Sequence, residues 1–124
     1  MNNLDREKLV IQINLSENHN LLYFNIPKEI LEKLELNETE QLEYDVRGTD
    51  FYIRKKGTNC KPAEIDYNIF EGLKVERTIT KNNTILRTNL PKEVAQPLNI
   101  NKEDKITLTL DGKVIIGTKY NTNR

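Results

Sequence analysis

The chain has 124 residues, 36% of them hydrophobic, and its 19 basic and 19 acidic side chains balance to a net charge of zero. This length fits one compact domain, or two small halves that share a core. No apolar run approaches the roughly 20 residues of a membrane-spanning helix, and residues 1–9 are too polar for a signal peptide. One cysteine and one histidine exclude an internal disulfide and a Cys/His zinc site within one chain. We therefore expect a cytoplasmic protein without a metal or other cofactor and without a membrane partner.

The charge is unevenly distributed along the chain. Residues 1–56 contain 8 Lys and Arg against 11 Asp and Glu, a net charge of −3. Residues 57–70 contain 1 against 2, a net charge of −1, and residues 71–124 contain 10 against 6, a net charge of +4. Because clustered positive charge attracts polyanions, the second half is the better candidate for a polyanion-binding surface.

The first half predicts short strands around one helix. Residues 10–15 alternate apolar and polar side chains, as a half-buried strand does. Pro27 stands where a helix begins, because its missing N–H costs nothing there, and apolar residues at helical spacing follow it. In chain order we predict a strand at 10–15, a polar turn at 16–20, a strand at 21–26, the helix after Pro27, a strand at 41–46, a turn at 47–50 and a strand at 51–55.

The second half repeats the first. A shift of 64 residues aligns positions 9–48 with 73–112 without a gap, and ten of these forty pairs are identical. The densest match is Asn-Ile-Pro-Lys-Glu-Ile at 25–30 against Asn-Leu-Pro-Lys-Glu-Val at 89–94. The alignment predicts strands at 73–79, 85–90, 105–110 and 113–118, and a helix at 91–98.

Two local signals refine the second half and the boundaries. Asp111-Gly112 lies between two alternating strands and predicts a tight hairpin. Pro97 should shorten the second helix, because a residue before proline is pushed out of the helical region. We divide the chain into a first repeat at 1–56, a linker at 57–72 that can hold one helical turn at 65–70, and a second repeat at 73–124.

The order of these elements, with an apolar-Pro-Lys-Glu-apolar segment before each helix, resembles the swapped-hairpin DNA-binding domains of the AbrB and MazE families (the SpoVT-AbrB type of domain). Residues 79–119 resemble MazE-type antitoxins, through Leu-Asn-Ile-Asn-Lys-Glu-Asp at 98–104 and Asp-Gly-Lys at 111–113. The resemblance implies a mainly β fold with short helices, in which two ββαββ units interleave into one β-barrel. Since one chain supplies both units, we expect an intrachain pseudo-dimer that is monomeric or forms a weak homodimer. The alternative is exchange of halves between two chains.

The resemblance also implies a binding face for duplex DNA: the turn between the first two strands of each unit, and the outward residues of the second strand. Arginine and lysine can contact phosphate or guanine, and asparagine can pair with adenine. Carried over by position, the candidates are Lys81, Asn82, Asn83, Thr84, Arg87 and Asn89 in the second repeat, and Asn18, His19, Asn20, Tyr23 and Asn25 in the first.

Several candidates have a structural interpretation beside the functional one. Asn20 and Asn83 are also typical of turns that need positive φ. Arg77, a further DNA candidate, falls on an inward-facing strand position, from which its guanidinium can equally extend to the surface. In the first repeat Tyr23 replaces Arg87, and Glu17 replaces Lys81. This difference argues against the reading of a symmetric palindrome.

The resemblance implies a DNA-binding transcriptional regulator. Two alternatives remain: an antitoxin that binds a toxin protein and its own promoter, and a protein-interaction module that has lost DNA binding. The sequence contains no convincing Ser/His/Asp set and no Gly-rich phosphate loop. We therefore expect no enzymatic activity.

Overall fold

The structure is a computed structural model that describes residues 9–57 and 75–120. These residues form strands and two short helices, as the sequence predicts for a mainly β chain. In chain order the elements are β1 (Leu9–Asn14), β2 (Ser16–Asn18), β3 (Leu21–Asn25), α1 (Lys28–Leu34), β4 (Gln41–Arg47), β5 (Asp50–Lys55), β6 (Val75–Thr78), β7 (Thr80–Asn82), β8 (Ile85–Leu90), α2 (Lys92–Ala95), β9 (Lys105–Asp111) and β10 (Val114–Tyr120). The predicted linker lies outside the described residues except for Gly57.

The strands form two antiparallel sheets, and each sheet combines both halves of the chain. The larger has the order β1-β9-β10-β5-β4-β6, and the smaller has the order β2-β3-β8-β7. The first strand of each half therefore pairs with a strand of the other half: β1 with β9, and β6 with β4. Among residues 9–57 and 75–120 the sheets remain separate, so the described strands do not close the expected barrel.

The segment expected as a polar turn at 16–20 is mostly a strand. Ser16–Asn18 forms β2 in the smaller sheet, and only His19 and Asn20 make the turn. Leu15 separates β1 from β2, so the chain leaves the larger sheet there and continues in the smaller one. The second half does the same at Ile79, between β6 and β7. Alternation alone could not predict this change of sheet, because the side chains remain strand-like on both sides of it.

An approximate twofold axis relates the halves. Exchanging each strand for its counterpart 64 residues away reproduces both sheet orders in reverse. The registers also correspond: Ile13 lies opposite Ile106, and their counterparts Arg77 and Leu42 lie opposite each other. Backbone conformation repeats as well, since His19 and Asn83, Glu35 and Asn99, and Gly48 and Gly112 have φ between 54° and 63°. The duplicated sequence thus gives a largely duplicated backbone, although Asn20 and Thr39 have positive φ and their counterparts Thr84 and Glu103 do not.

The larger sheet shows how the two halves have diverged together. Phe51 lies opposite Gly117 in the β5–β10 pairing, and the counterpart pair is Ile115 opposite Ile53. A Cβ added to Gly117 would lie only 2.1 Å from the Phe51 ring. On one side of the axis a large residue therefore lies opposite a glycine, and on the other side two residues of intermediate size lie opposite each other. Compensating volumes across the axis indicate one core shared by both halves.

The helices differ in length. α1 has seven residues, and α2 has four. Pro97 shortens α2 as predicted, but not by the predicted route, because Gln96 keeps helical angles of φ −66° and ψ −48°. The helix ends because Pro97 has no N–H to donate to the carbonyl four residues earlier. No helix in the described ranges is long and apolar enough to cross a membrane.

Candidate nucleic-acid interface

The two central strands of the smaller sheet carry most of the predicted DNA candidates. β3 and β8 pair directly, with Tyr23 opposite Asn89 and Asn25 opposite Arg87. The residues between them, Phe24 and Thr88, are buried toward the core. Because side chains alternate along a strand, one set of residues shares the opposite side of this sheet, which we call the outer face. By register it comprises Ser16, Asn18, Leu21, Tyr23, Asn25, Thr80, Asn82, Ile85, Arg87 and Asn89.

The outer face has a distinctive chemistry. None of its ten residues is acidic, and Arg87 is its one charged residue. The Arg87 guanidinium carbon lies 4.7 Å from the centre of the Tyr23 ring, a cation–π contact across the two halves. A guanidinium stacked on a ring keeps its in-plane N–H donors available for a ligand. Side-chain amides and hydroxyls surround this pair.

Tyr44 attaches this surface to the larger sheet. It is fully buried in β4, and its hydroxyl donates a hydrogen bond of 3.1 Å to the backbone oxygen of Asn89. The same hydroxyl lies 3.4 Å from Thr88 Oγ1. Burial raises the pKa of Tyr44 well above its ordinary value of 10.0, although the Thr88 hydrogen bond and the positive charge of Arg77 oppose the rise. Tyr44 therefore stays neutral and holds β8 where Arg87 and Asn89 face outward.

The predicted turn residues lie at the two ends of the smaller sheet. His19, Asn20 and Asn83 have positive φ values of 55°, 66° and 61°. This confirms the backbone role expected for the asparagines. Consecutive positive φ at His19 and Asn20 is the geometry of a type I′ hairpin turn. All three side chains, with that of Thr84, are exposed, so the turns also present polar groups to solvent.

Lys81 and Arg77 are not part of the outer face. Lys81 lies opposite Leu86, so it shares the opposite side of the sheet from Arg87 although it is exposed. Arg77 belongs to β6 in the larger sheet. Its Nη1 donates to the Glu76 backbone oxygen at 2.7 Å, and its Nη2 lies 3.6 Å from Glu93 Oε1. The structural interpretation of Arg77, a guanidinium that reaches the surface, matches this geometry.

Sequence reasoning missed four residues of this surface, Ser16, Leu21, Thr80 and Ile85. Ser16 and Thr80 lie on the outer face opposite Tyr23 and Arg87, because β2 and β7 are strands rather than turns. Ile85 is 46% exposed on the same face. The repeat alignment already paired Ser16 with Thr80, but only the change of sheet places them beside the cation–π pair.

The described residues give less support to a metal site than to the outer face. No group of three or more His, Cys, Asp or Glu residues able to hold a metal ion occurs within the described residues. No family model matches the chain, and no curated protein or solved structure is significantly similar to it. The residues of the outer face therefore carry the functional argument on their own.

Proposed function

We propose that the protein is a DNA-binding transcriptional regulator, of the kind its resemblance to the AbrB and MazE families implies, and that it binds duplex DNA through the outer face. The observation that carries the proposal is the contact between Arg87 and Tyr23 on a strand surface free of carboxylates. Arginine provides the bidentate donor that guanine accepts, and asparagine offers the matching groups for adenine. Asn25 and Asn89 flank the pair on the same face.

The sheet geometry is compatible with this function. A two-stranded β-ribbon fits the major groove of B-form DNA. β3 and β8 are a directly paired couple at the centre of the smaller sheet, and the strands that flank them, β2 and β7, have only three residues each. Polar turn residues on both sides can contact phosphates and fix the register without reading sequence. A net charge of zero is then no obstacle, because the outer face itself has no negative charge to repel phosphate.

The proposal includes the finer architecture. We propose that the interleaved halves constitute a swapped-hairpin pseudo-dimer within one chain, so that a single chain presents both central strands of the binding face. Pairing of β1 with β9, of β6 with β4 and of β3 with β8 supports this arrangement. The equivalent homodimer would need two chains to bring the same strands together.

Selection from random duplexes at two salt concentrations tests the function. We expect enrichment of a specific sequence, with an affinity that falls as salt rises. Arg87→Ala should weaken binding to that sequence by about 1–3 kcal/mol, the range for loss of a bidentate base contact. Lys33→Ala is the matched control: it removes an exposed cation from α1 and should leave affinity unchanged. If the Arg87→Ala variant bound the selected duplex with the affinity of the wild-type protein, the proposal would be wrong.

A second candidate is protein binding, in an antitoxin that contacts a toxin or in a module without DNA affinity. Two grooves related by the approximate axis favour it. One, of about 420 Å³, is lined by Ile26, Leu31, Ile85 and Leu86 among others. Its counterpart, of about 380 Å³, includes the equivalent residues Leu90, Ala95, Leu21 and Leu22. A module without DNA affinity predicts no salt-dependent binding to any duplex. An antitoxin, which also binds its own promoter, instead predicts a toxin encoded beside it.

A further inference from the structure

The cation–π pair lies where the two halves of the chain meet. Tyr23 and Arg87 are 64 residues apart, so they occupy equivalent positions of the two repeats. The pairs Tyr23–Asn89 and Asn25–Arg87 exchange with each other when the halves are exchanged. The approximate axis therefore passes between these pairs, at the level of Phe24 and Thr88. A chain with two identical repeats would have the same side chain at positions 23 and 87.

This chain presents a cation on one side of the axis and an aromatic ring on the other. Positions 23 and 87 are diagonal neighbours across the strands, with backbones roughly 7–8 Å apart, within reach of long side chains. Two arginines at these positions would place like charges side by side. Tyrosine replaces that repulsion with an attraction, and the observed 4.7 Å contact holds the Arg87 guanidinium against the ring. The surface therefore has two nearly equivalent halves with one positive charge.

We infer that the protein reads a non-palindromic DNA site in one orientation, with Arg87 contacting a guanine on one side of the centre of the site. This inference rests on the proposed DNA binding through the outer face. Arg87 lies one residue along β8 from the axis. A strand rises about 3.4 Å per residue, which is close to the roughly 3.4 Å spacing of successive bases. The guanine should then lie about one base pair from the centre, and the equivalent position on the other side should show no matching preference.

Exchange of the two residues gives a direct test. The double variant Tyr23→Arg with Arg87→Tyr keeps the composition and the pairing partners but moves the cation to β3. Both proteins are used for selection from random duplexes, and hydroxyl-radical footprints define the centre of each selected site. A DNA-cleaving iron chelate attached to α1 shows which side of the centre the first half faces, so that the position of the guanine is assigned relative to that half. We expect an asymmetric wild-type site, and in the exchanged variant a guanine displaced by about two base pairs to the other side of the centre. Its affinity for its own site should be within about 5-fold of the wild-type value.

Tyr23→Ala serves as the second variant. It keeps the cation but removes the ring, so it should weaken binding by about 3- to 10-fold while retaining the same guanine. Thermal unfolding of every variant shows whether the fold is intact.

A palindromic wild-type site, or a guanine that does not move after the exchange, would overturn the inference and leave DNA binding established. If no duplex is selected by the folded wild-type protein, the proposed function fails, and the inference fails with it.

Discussion

Tyr44 links the two sheets, and its removal provides a quantitative test of the fold. Tyr44→Phe deletes the 3.1 Å bond to the Asn89 carbonyl and the 3.4 Å contact with Thr88 Oγ1, so the carbonyl loses this donor and the Thr88 hydroxyl loses this partner. A net hydrogen bond contributes about 0.5–1.5 kcal/mol, and a buried group left without a partner costs about 1–3 kcal/mol. Because the Thr88 contact is long, we expect the variant to lose about 1–2 kcal/mol of unfolding free energy in urea denaturation at pH 7.

A double-mutant cycle isolates the interaction between the Tyr44 and Thr88 hydroxyls. Thr88→Val removes the partner hydroxyl with little change of shape, and the double variant should be more stable than the sum of the single effects predicts. Tyr23→Phe is the control, since it removes a hydroxyl from a half-exposed ring on the outer face and should cost less than about 0.5 kcal/mol.

High pH tests the burial of the same hydroxyl. Because burial raises the pKa of Tyr44 above 10.0, the residue is neutral in both states below pH 10 and contributes its full stabilisation there. Above pH 10 it ionises in the unfolded chain but not in the folded one, so stability falls by about 1.4 kcal/mol per pH unit. The stability difference between wild type and Tyr44→Phe should therefore shrink by about 1.4 kcal/mol from pH 9 to pH 11. Parallel pH profiles, or equal stabilities at pH 7, would refute the buried contact.

Three further outcomes follow from the interleaved sheets. Fragments 1–60 and 71–124 should each be poorly folded and should recover β structure when mixed, because β1 and β6 pair with strands of the other half; a fragment that unfolds cooperatively as a monomer would contradict this pairing. The full chain should sediment as a monomer at micromolar concentration, whereas an obligate dimer would indicate exchange of halves between chains. Gly117→Ala should cost about 1–3 kcal/mol through overcrowding of the Phe51 ring, and Phe51→Ile should relieve part of that cost; a neutral Gly117→Ala would show that the ring can move aside.

Much of the fold could be predicted from the sequence because periodicity and duplication report local structure directly. β8 matches its predicted bounds, Ile85–Leu90. Sequence could not predict the change of sheet at Leu15 and Ile79, because a strand that moves from one sheet to another keeps the same alternation. The effect of Pro97 on helix length was predicted, but its mechanism depends on a missing backbone donor rather than on the conformation of Gln96.

The candidate site was predictable in part for a different reason. The resemblance to the AbrB and MazE families nominated the strand residues Tyr23, Asn25, Arg87 and Asn89, and the register places all four on one surface. Side-chain contact across the axis depends on tertiary pairing, so the stacking of Arg87 on Tyr23 was beyond sequence reasoning. Lys81 shows the opposite case. It is close to Arg87 in sequence, yet it belongs to the other side of the sheet.

The central claim is that the outer face of the smaller sheet binds duplex DNA, and amide chemical shifts test it most directly. The isotope-labelled protein is titrated with the duplex obtained by selection, and with a scrambled duplex of equal length as control. We expect the largest shifts in β3 and β8 and in the turns at His19–Asn20 and Asn83–Thr84, with smaller shifts from the scrambled duplex. Shifts concentrated in β5 and β10 of the larger sheet, or no shifts with either duplex at saturating concentration, would contradict the claim.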